Sequence, residues 1–522
     1  MWFFYDEREN FPESREKREV FRPDTGRGTM NEKKYLQEIE EVIQAGPYHD
    51  NWESLSAYQA PKWYQDAKFG IFIHWGAYTV PEFGSEWYPR NMYQQGSREF
   101  EHHIKTYGHH KEFGYKDLIP LFKAEKFDPE EWMDVFQYAG AKYLVPVAEH
   151  HDGFQMYASE LSHWNAAEMG PCRNVLKELH QAAEKRGIVP GASSHRIEHW
   201  FFLDGGRKFD SDIQGEYEKG HLYWPTMEGP KPDEFEKPDS DCQPSEEYMN
   251  DWLLRCCELV DRYRPKVFYF DWWIQQKAMK PWVQKFAAYY YNRAAQWGEE
   301  VAINYKYDAF MFGCAVPDVE RGQFAQARPY FWQTDTAIAR NSWSYTKGND
   351  YKSAGSILCD LLDVVSKNGT MLLNVGPRAD GTIGPEDRKV LTEIGDWMQA
   401  NGEAIFGTRV WRTSAEGPTE VKDGAFTDGE EKVFTSEDFR FTVKGNSLYA
   451  AVLRYPEDGV VRIRSLAGKG DAHQHHFNGF LRKISVLGFE EEPVWSREDD
   501  ALVIRTETVH SDKPVVFRIE MK

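Results

Sequence analysis

Asp271 closes the apolar run KVFYFDWW, and a carboxyl at the end of such a segment is costly unless it is paired, solvated or put to chemical use. Catalytic duty is the reading this position favours. His150 and His151 lie in AEHHDGF. Neighbours on a strand point to opposite faces, so both can reach one ligand only where the strand is ending. His74 ends FGIFIHWG, with Glu86 and Trp87 in the loop beyond it; taken alone, a strand-end histidine of this kind reads as structural. Further on, AINYKYDAFMFGCAVPDVERGQFAQARPYFWQTDTAIARNSWSY reads as a loop-rich region carrying Lys306, Asp318, Glu320, Gln333 and Asp335. NGTMLLNVGPRADGTIGP, with Asn374 at its strand end, reads as architectural. The histidines lack HExxH or any other zinc-type spacing, so no metal is expected. Neutral imidazoles both donate and accept hydrogen bonds, which suits a hydroxyl-rich sugar.

These side chains need strands to present them. Short apolar segments (FGIFIHWG, AKYLVPVAEHH, IVPGASSH, KVFYFDWW) alternate with helix-like stretches, the pattern of parallel β/α units. In NVLKELHQAAEKRG the helical apolar period ends in Lys, Arg and a terminating Gly. The polar ends of the strands carry His, Glu, Asp and Trp, as at the loop-bearing end of a closed barrel. An open doubly wound sheet is the alternative, but no GxGxxG follows the first strand. Residues 1–55 read as a charged, helix-prone flanking segment, with MNEKKYLQEIEEVIQAG amphipathic. Residues 56–408 form the barrel domain. From about Arg409 the texture changes to short alternating strands (KVFTS, FRFTVKGNSLYAAVLRY, VVRIRSL, RKISVLG, ALVIRTE, PVVFRIEMK) joined by Gly, Asp and Asn turns, so residues 409–522 are expected to form an antiparallel β-sandwich. The fold class is therefore α/β, a TIM-like (β/α) barrel followed by a sandwich.

Composition narrows the function. With 522 residues the chain is long enough for one large domain and a smaller module. Aromatic residues make up 15%, which suits rings stacked on sugar faces, although most such rings serve the core. A formal charge of −21 repels polyphosphate, which argues against nucleic acid as a partner. The six cysteines form no CxxC pair and no dense framework, and read as free thiols. The opening MWFFYDERENFPESREKREVF lacks the basic start and long apolar core of a secretory leader, so a cytoplasmic location is expected. No apolar run reaches the roughly 18 to 20 residues of a membrane span.

FGIFIHWG, SEWY, HHDGF, a strand-ending Asp and LLNVGPRADGTI, in this order, resemble glycoside hydrolase family 29, the α-L-fucosidases. The resemblance covers roughly Trp63 to Gly407. It implies a retaining exo-acting enzyme that needs no cofactor and releases terminal fucose from an oligosaccharide or glycoside through a covalent fucosyl-enzyme intermediate. Asp271 matches the nucleophile position. Some relatives place the acid/base in a Trp-Glu pair, but this chain has Trp332 and Gln333 there, and Gln333 can neither give nor recover a proton. Others carry it after an Asn-Asp-Arg segment; the match here is Asn304, Tyr305 and Lys306, which brings Glu320 to the corresponding spacing as acid/base, with Asp335 and Glu86 as alternatives. By the same resemblance His74, Glu86, Trp87, His150 and His151 hold the fucose, joined by His195 from GASSHRIEHWFF and by Trp272 or Trp273 as an apolar wall, with Trp273 preferred. Where many relatives have a tyrosine-rich strand end and a Glu-Trp pair, this chain has His195 and Glu198, so its leaving-group side is expected to differ. Glu149 replaces a basic residue common before the paired histidines. Two other readings remain: a fucose-binding protein without turnover, suggested by Gln333, and a glycosidase for another sugar such as a galactoside. Association into a homo-oligomer stays open.

Overall fold

The computed structural model describes residues 31–231, 233–235, 237–429, 432–469 and 477–522. The stretch on which the leader argument rests lies outside them. The apolar segments do form parallel strands: β1 (Phe69–Ile73), β2 (Tyr143–Glu149), β3 (Val189–Pro190), β4 (Ala192–Ser194), β5 (Val267–Phe270), β6 (Ala302–Tyr305), β7 (Val316–Glu320), β8 (Trp332–Ala337) and β9 (Gly369–Val375). β3 and β4 are halves of one stave, and β1 pairs with both β2 and β9, so eight staves close into a barrel. The strand ends that carry His, Asp and Glu all fall at its C-terminal mouth.

Helices cover most crossovers, including Val175–Lys185, which is capped by Asn174, and Lys280–Trp297. The β6–β7 and β7–β8 connections contain no helix. The region expected to be loop-rich thus supplies three staves. Buried parallel strands usually read as unbroken apolar runs; here Asn304, Asp318, Glu320, Gln333 and Asp335 interrupt that pattern. Asp318 pairs with Gln333, and Glu320 with Asp335, across β7 and β8. In the interior the Tyr64 hydroxyl, from the helix Lys62–Ala67, lies 2.6 Å from Gln333 Oε1 and 3.1 Å from Asn304 Oδ1.

Beyond the closing helix Pro385–Asn401, β10 (Arg409–Glu416), β11 (Phe439–Lys444), β12 (Ser447–Val452), β13 (Val460–Ile463), β14 (Leu481–Val486), β15 (Val494–Arg497), β16 (Leu502–Arg505) and β17 (Val515–Met521) build two antiparallel sheets, ordered β10-β11-β12-β17-β14 and β13-β16-β15. KVFTS forms no strand. The sheets share a core that includes Phe439, Phe441, Ile463, Ile504 and Phe517. Strand periodicity also fastens this layer to the barrel, because the alternate residues of β11 face the other way. Arg440 pairs with Asp363 of the helix Ala354–Ser366, and the Thr442 hydroxyl donates to the Ala404 carbonyl at 2.9 Å.

The segment between β10 and β11 returns to the barrel where its helices are missing. Residues 323 and 424 form an antiparallel bridge. Phe426 N–H donates to the Glu320 carbonyl at 2.8 Å, and the N–H groups of Thr427 and Asp428 donate to the Arg321 carbonyl at 2.8 and 3.0 Å. A Cβ on Gly322 would lie 2.0 Å from the Gly424 carbonyl oxygen, so this approach requires glycine.

Candidate active site

At the barrel mouth a cavity of about 260 Å³ is walled by Phe72, His74, Glu86, Trp87, His150, His151, His195, Tyr269, Asp271, Trp272, Lys306, Tyr307, Glu320, Asp335, Trp343 and Phe426. Its centre is Asp271, just past the end of β5. Asp271 Oδ2 lies 3.0 Å from His195 Nδ1 and 3.3 Å from His151 Nε2, and Oδ1 lies 3.1 Å from Lys306 Nζ. Burial alone would raise this carboxyl, but Lys306 and the two histidines outweigh it and hold Asp271 well below the usual carboxylate range. The same ammonium lies 2.6 Å from Glu320 Oε2 and 3.3 Å from Asp335 Oδ2.

Glu320 behaves oppositely. Burial pushes it up to about 7, against the pull of Lys306 and helped by the negative charges of Asp335 and Asp271. One carboxyl is thus held ionised while its neighbour titrates near neutral pH, a split suited to acid/base chemistry. The alternative carboxyls are otherwise engaged. Asp335 accepts from the Tyr269 hydroxyl at 2.8 Å, and its side chain is 1% exposed against 15% for Glu320. Glu86 Oε2 accepts from Trp343 N–H at 2.9 Å, with Ser342 Oγ and Ser344 N–H each at 3.4 Å. Gln333 lies outside the cavity wall, donating from Nε2 to Asp318 Oδ2 at 2.6 Å. Burial and the neighbouring Asp335 raise Asp318 well above the usual carboxylate range.

The histidines are individually set. His74 donates from Nδ1 to Asn374 Oδ1 at 2.7 Å, and Asn374 in turn donates to the Trp343 carbonyl at 2.6 Å. The strand expected to be architectural therefore fixes a tautomer. Burial lowers His74, His150 and His195, so all three are neutral. His195 then donates to Asp271 and accepts from Ser193 Oγ at 3.0 Å. His150 Nδ1 has no partner among the described residues. Burial opposes the cation of His151, yet Glu198 and Asp271 win and raise it. Gly153, at φ 77, makes the turn that lets both neighbours face inward; a Cβ there would meet the His199 ring at 2.5 Å. Nitrogens of His74, His150 and His195 lie within 4.8 Å of one another, close enough to hold a cation, as do ligand atoms of His151, His195 and Asp271. The Lys306 ammonium on Asp271 opposes a second cation there.

Trp273 is a correction. It is fully buried and lies outside the cavity, packed on Trp200 and Phe201 with Nε1 donating to the Phe235 carbonyl at 3.2 Å; Trp272 takes the wall instead. After a strand-ending Asp, consecutive residues diverge, and Trp273 sits at φ 85. Glu149 is accounted for by a buried quartet: it lies 2.7 Å from Arg196 Nη1 and 3.1 Å from Arg255 Nη1, while Asp251 lies 2.8 and 2.9 Å from the same two guanidinium groups. Sequence reasoning missed the bridging role of Lys306, which was legible as one more residue after a strand end. It also missed Trp343 and Phe426, for which no signal exists, since both reach the cavity from irregular segments.

Residues 35–403 match the family model described as Alpha-L-fucosidase. The tissue α-L-fucosidase of Macaca fascicularis is 31% identical over 487 residues, covering 89% of each chain, and that of Homo sapiens is 29% identical over 478 residues, covering 89% of this chain and 90% of its own. A crystal structure of Thermotoga maritima α-fucosidase in complex with fucose superposes with a TM-score of 0.70 at 27% identity, covering 90% of this chain and 100% of that one.

Proposed function

We propose, from the premise that this chain belongs to the α-L-fucosidase family of glycoside hydrolases, that it releases terminal α-L-fucose with retention of anomeric configuration. One observation carries the mechanistic part. Lys306 bridges Asp271 Oδ1 at 3.1 Å and Glu320 Oε2 at 2.6 Å, so these oxygens are no farther apart than the two contacts laid end to end, 5.7 Å. Inverting pairs need about 6.5 to 9.5 Å to admit a water, whereas retaining pairs stand about 5 to 5.5 Å apart.

In this reading ionised Asp271 attacks the anomeric carbon while Glu320 passes its proton to the departing glycosidic oxygen. The ester neutralises Asp271 and removes one of the charges that kept Glu320 protonated. Glu320, now a carboxylate, takes the proton of the incoming water, and the ester is hydrolysed. His74, His150 and the second oxygen of Glu86 hold sugar hydroxyls, while Trp87, Phe72 and Trp343 face the methyl edge. His151 and His195 orient the nucleophile. The six free thiols, four of them buried and only Cys172 exposed, support a reducing, cytoplasmic setting. No described helix is long and apolar enough to cross a membrane.

The test is proton NMR of the first-formed sugar during hydrolysis of an aryl α-L-fucoside, combined with trapping by a 2-fluoro-fucosyl donor and peptide mapping. The α-anomer first and an adduct on Asp271 are expected. A β-anomer, or an adduct on another side chain, would overturn the mechanism.

A further inference from the structure

Beneath the catalytic cavity two carboxyl groups meet inside the barrel. Strand alternation puts Asp318 and Glu320 on one face of β7 and Gln333 and Asp335 on one face of β8, and the register sets Asp318 beside Gln333 and Glu320 beside Asp335. Asp318 therefore lies two residues, about 7 Å, deeper than Glu320 along its strand. It is buried and does not border the cavity. Its Oδ2 accepts from Gln333 Nε2 at 2.6 Å. That amide cannot turn round, because the hydroxyls of Tyr64 and Tyr143 lie 2.6 and 3.2 Å from Gln333 Oε1 and need an acceptor there. Asp335 is held from another side: its Oδ2 accepts from the Tyr269 hydroxyl at 2.8 Å and lies 3.3 Å from Lys306 Nζ. The oxygens that remain, Asp318 Oδ1 and Asp335 Oδ1, are enclosed and have no N–H or hydroxyl donor among the described residues, while the two carboxyl groups are in hydrogen-bonding contact with each other.

Two carboxyl groups in such contact attract each other only when one of them carries a proton, since an ionised carboxylate can accept but not donate. The surroundings decide which one carries it. Asp335 has an ammonium and a phenol on its Oδ2, whereas Asp318 makes no ion pair among the described residues and feels Lys306 only from beyond ion-pair distance. The other titratable groups that face Asp318 are the phenols of Tyr64, Tyr143 and Tyr269, all raised by burial and so uncharged. We propose that Asp318 is a positioning residue: a protonated carboxyl whose O–H donates to Asp335 Oδ1, locks the Asp335 carboxylate under Lys306 and thereby holds that ammonium between Asp271 and Glu320. Gln333 belongs to the same unit. Its amide donates to the carbonyl oxygen of the acid and leaves the hydroxyl for Asp335, which a carboxylate at that position could not do. The inference rests on the fucosidase reading, in which Glu320 gives and recovers a proton, and adds to it a second proton that stays in place.

Two variants and one spectrum test this. Asp318→Asn keeps an N–H donor toward Asp335 and an oxygen for Gln333 without any charge, and Asp318→Leu keeps neither. On a fucosylated oligosaccharide the asparagine variant should match the wild type in kcat, KM and the alkaline limb of its pH profile. The leucine variant should lose about tenfold in kcat, the scale of one hydrogen bond, with KM little changed because no cavity-lining group is altered, and its alkaline limb should move. Infrared difference spectra between the wild type and Asp318→Asn, both carrying carbon-13 in their aspartate carboxyl groups, should contain a protonated-carboxyl C=O band above pH 7. Absence of that band, an asparagine variant as damaged as the leucine one, or a leucine variant that behaves as wild type would each overturn the proposal while leaving the fucosidase reading standing. Should Asp318→Leu fail to fold, the asparagine variant and the band still decide. A wild type that cleaves no fucoside would sink the fucosidase reading, and the positioning role with it, whatever the infrared spectrum shows.

Discussion

Asp271→Asn removes one charge from the site with little change of shape, and its clearest effect should appear on Glu320. The two carboxyl oxygens are at most 5.7 Å apart through the Lys306 contacts of 3.1 and 2.6 Å. At an effective dielectric constant of about 20, two unit charges at that separation repel by ~3 kcal/mol, on the order of a hundredfold in proton affinity. Lys306, relieved of one carboxylate, pairs more fully with Glu320, which acts in the same direction. The Glu320 titration, centred at about 7 in the native protein, should therefore move to distinctly lower pH in the variant. Carbon-13 NMR of protein labelled at glutamate side chains, with Glu320→Gln to assign the resonance, reads this directly. A midpoint that stays in place or climbs would refute the coupling, and with it the account of how Glu320 changes from acid to base when the ester forms.

Glu320→Ala should lower kcat/KM about 10² to 10⁴-fold on oligosaccharides, whose leaving alcohol needs a proton, and far less on a 4-nitrophenyl fucoside; equal loss on both would move the role to Asp335 or Glu86. For the wild type, oligosaccharide cleavage should fall as pH rises past about 7, as Glu320 loses its proton, while the acid limb lies low because Asp271 stays ionised; a rate that keeps climbing above pH 8 would contradict this. Arg255→Met strips a cation from the buried quartet and leaves Glu149 and Asp251 sharing Arg196; chemical denaturation should register a loss of about 3 to 5 kcal/mol, and a loss below about 1 would show that the quartet is not a closed unit. Glu198, raised to about 7 mainly by burial, contributes stability that is complete below its unfolded pKa and lost as pH rises through the folded one. Glu198→Gln should therefore gain Tm relative to the wild type between pH 5 and 7.5, and a flat difference would refute the raised value.

The family was legible in the sequence because four of its five motifs sit at strand ends, where backbone geometry and chemistry coincide, with SEWY in the loop after β1, and the family match bears this out. The barrel followed from the apolar strands. Its β6–β8 third did not, because polar residues on the inward face of these strands erase the apolar run on which strand reading depends. Lys306 was visible as a residue but not as a bridge, since three carboxylates reach it from three different staves. Trp272 and Trp273 are adjacent and chemically alike, and only the backbone turn after Asp271 decides which of them faces the cavity.

The peptide that steadies the backbone of Glu320 comes from residues 424–428, on the far side of the border at which the sandwich begins. A barrel cut free at residue 408 would keep every strand-end histidine and Asp271 yet release the edge that carries Glu320. The point where the barrel gives way to the antiparallel sheets is therefore not a border between working parts, and transplanting this site to a shorter scaffold would mean carrying that returning loop along.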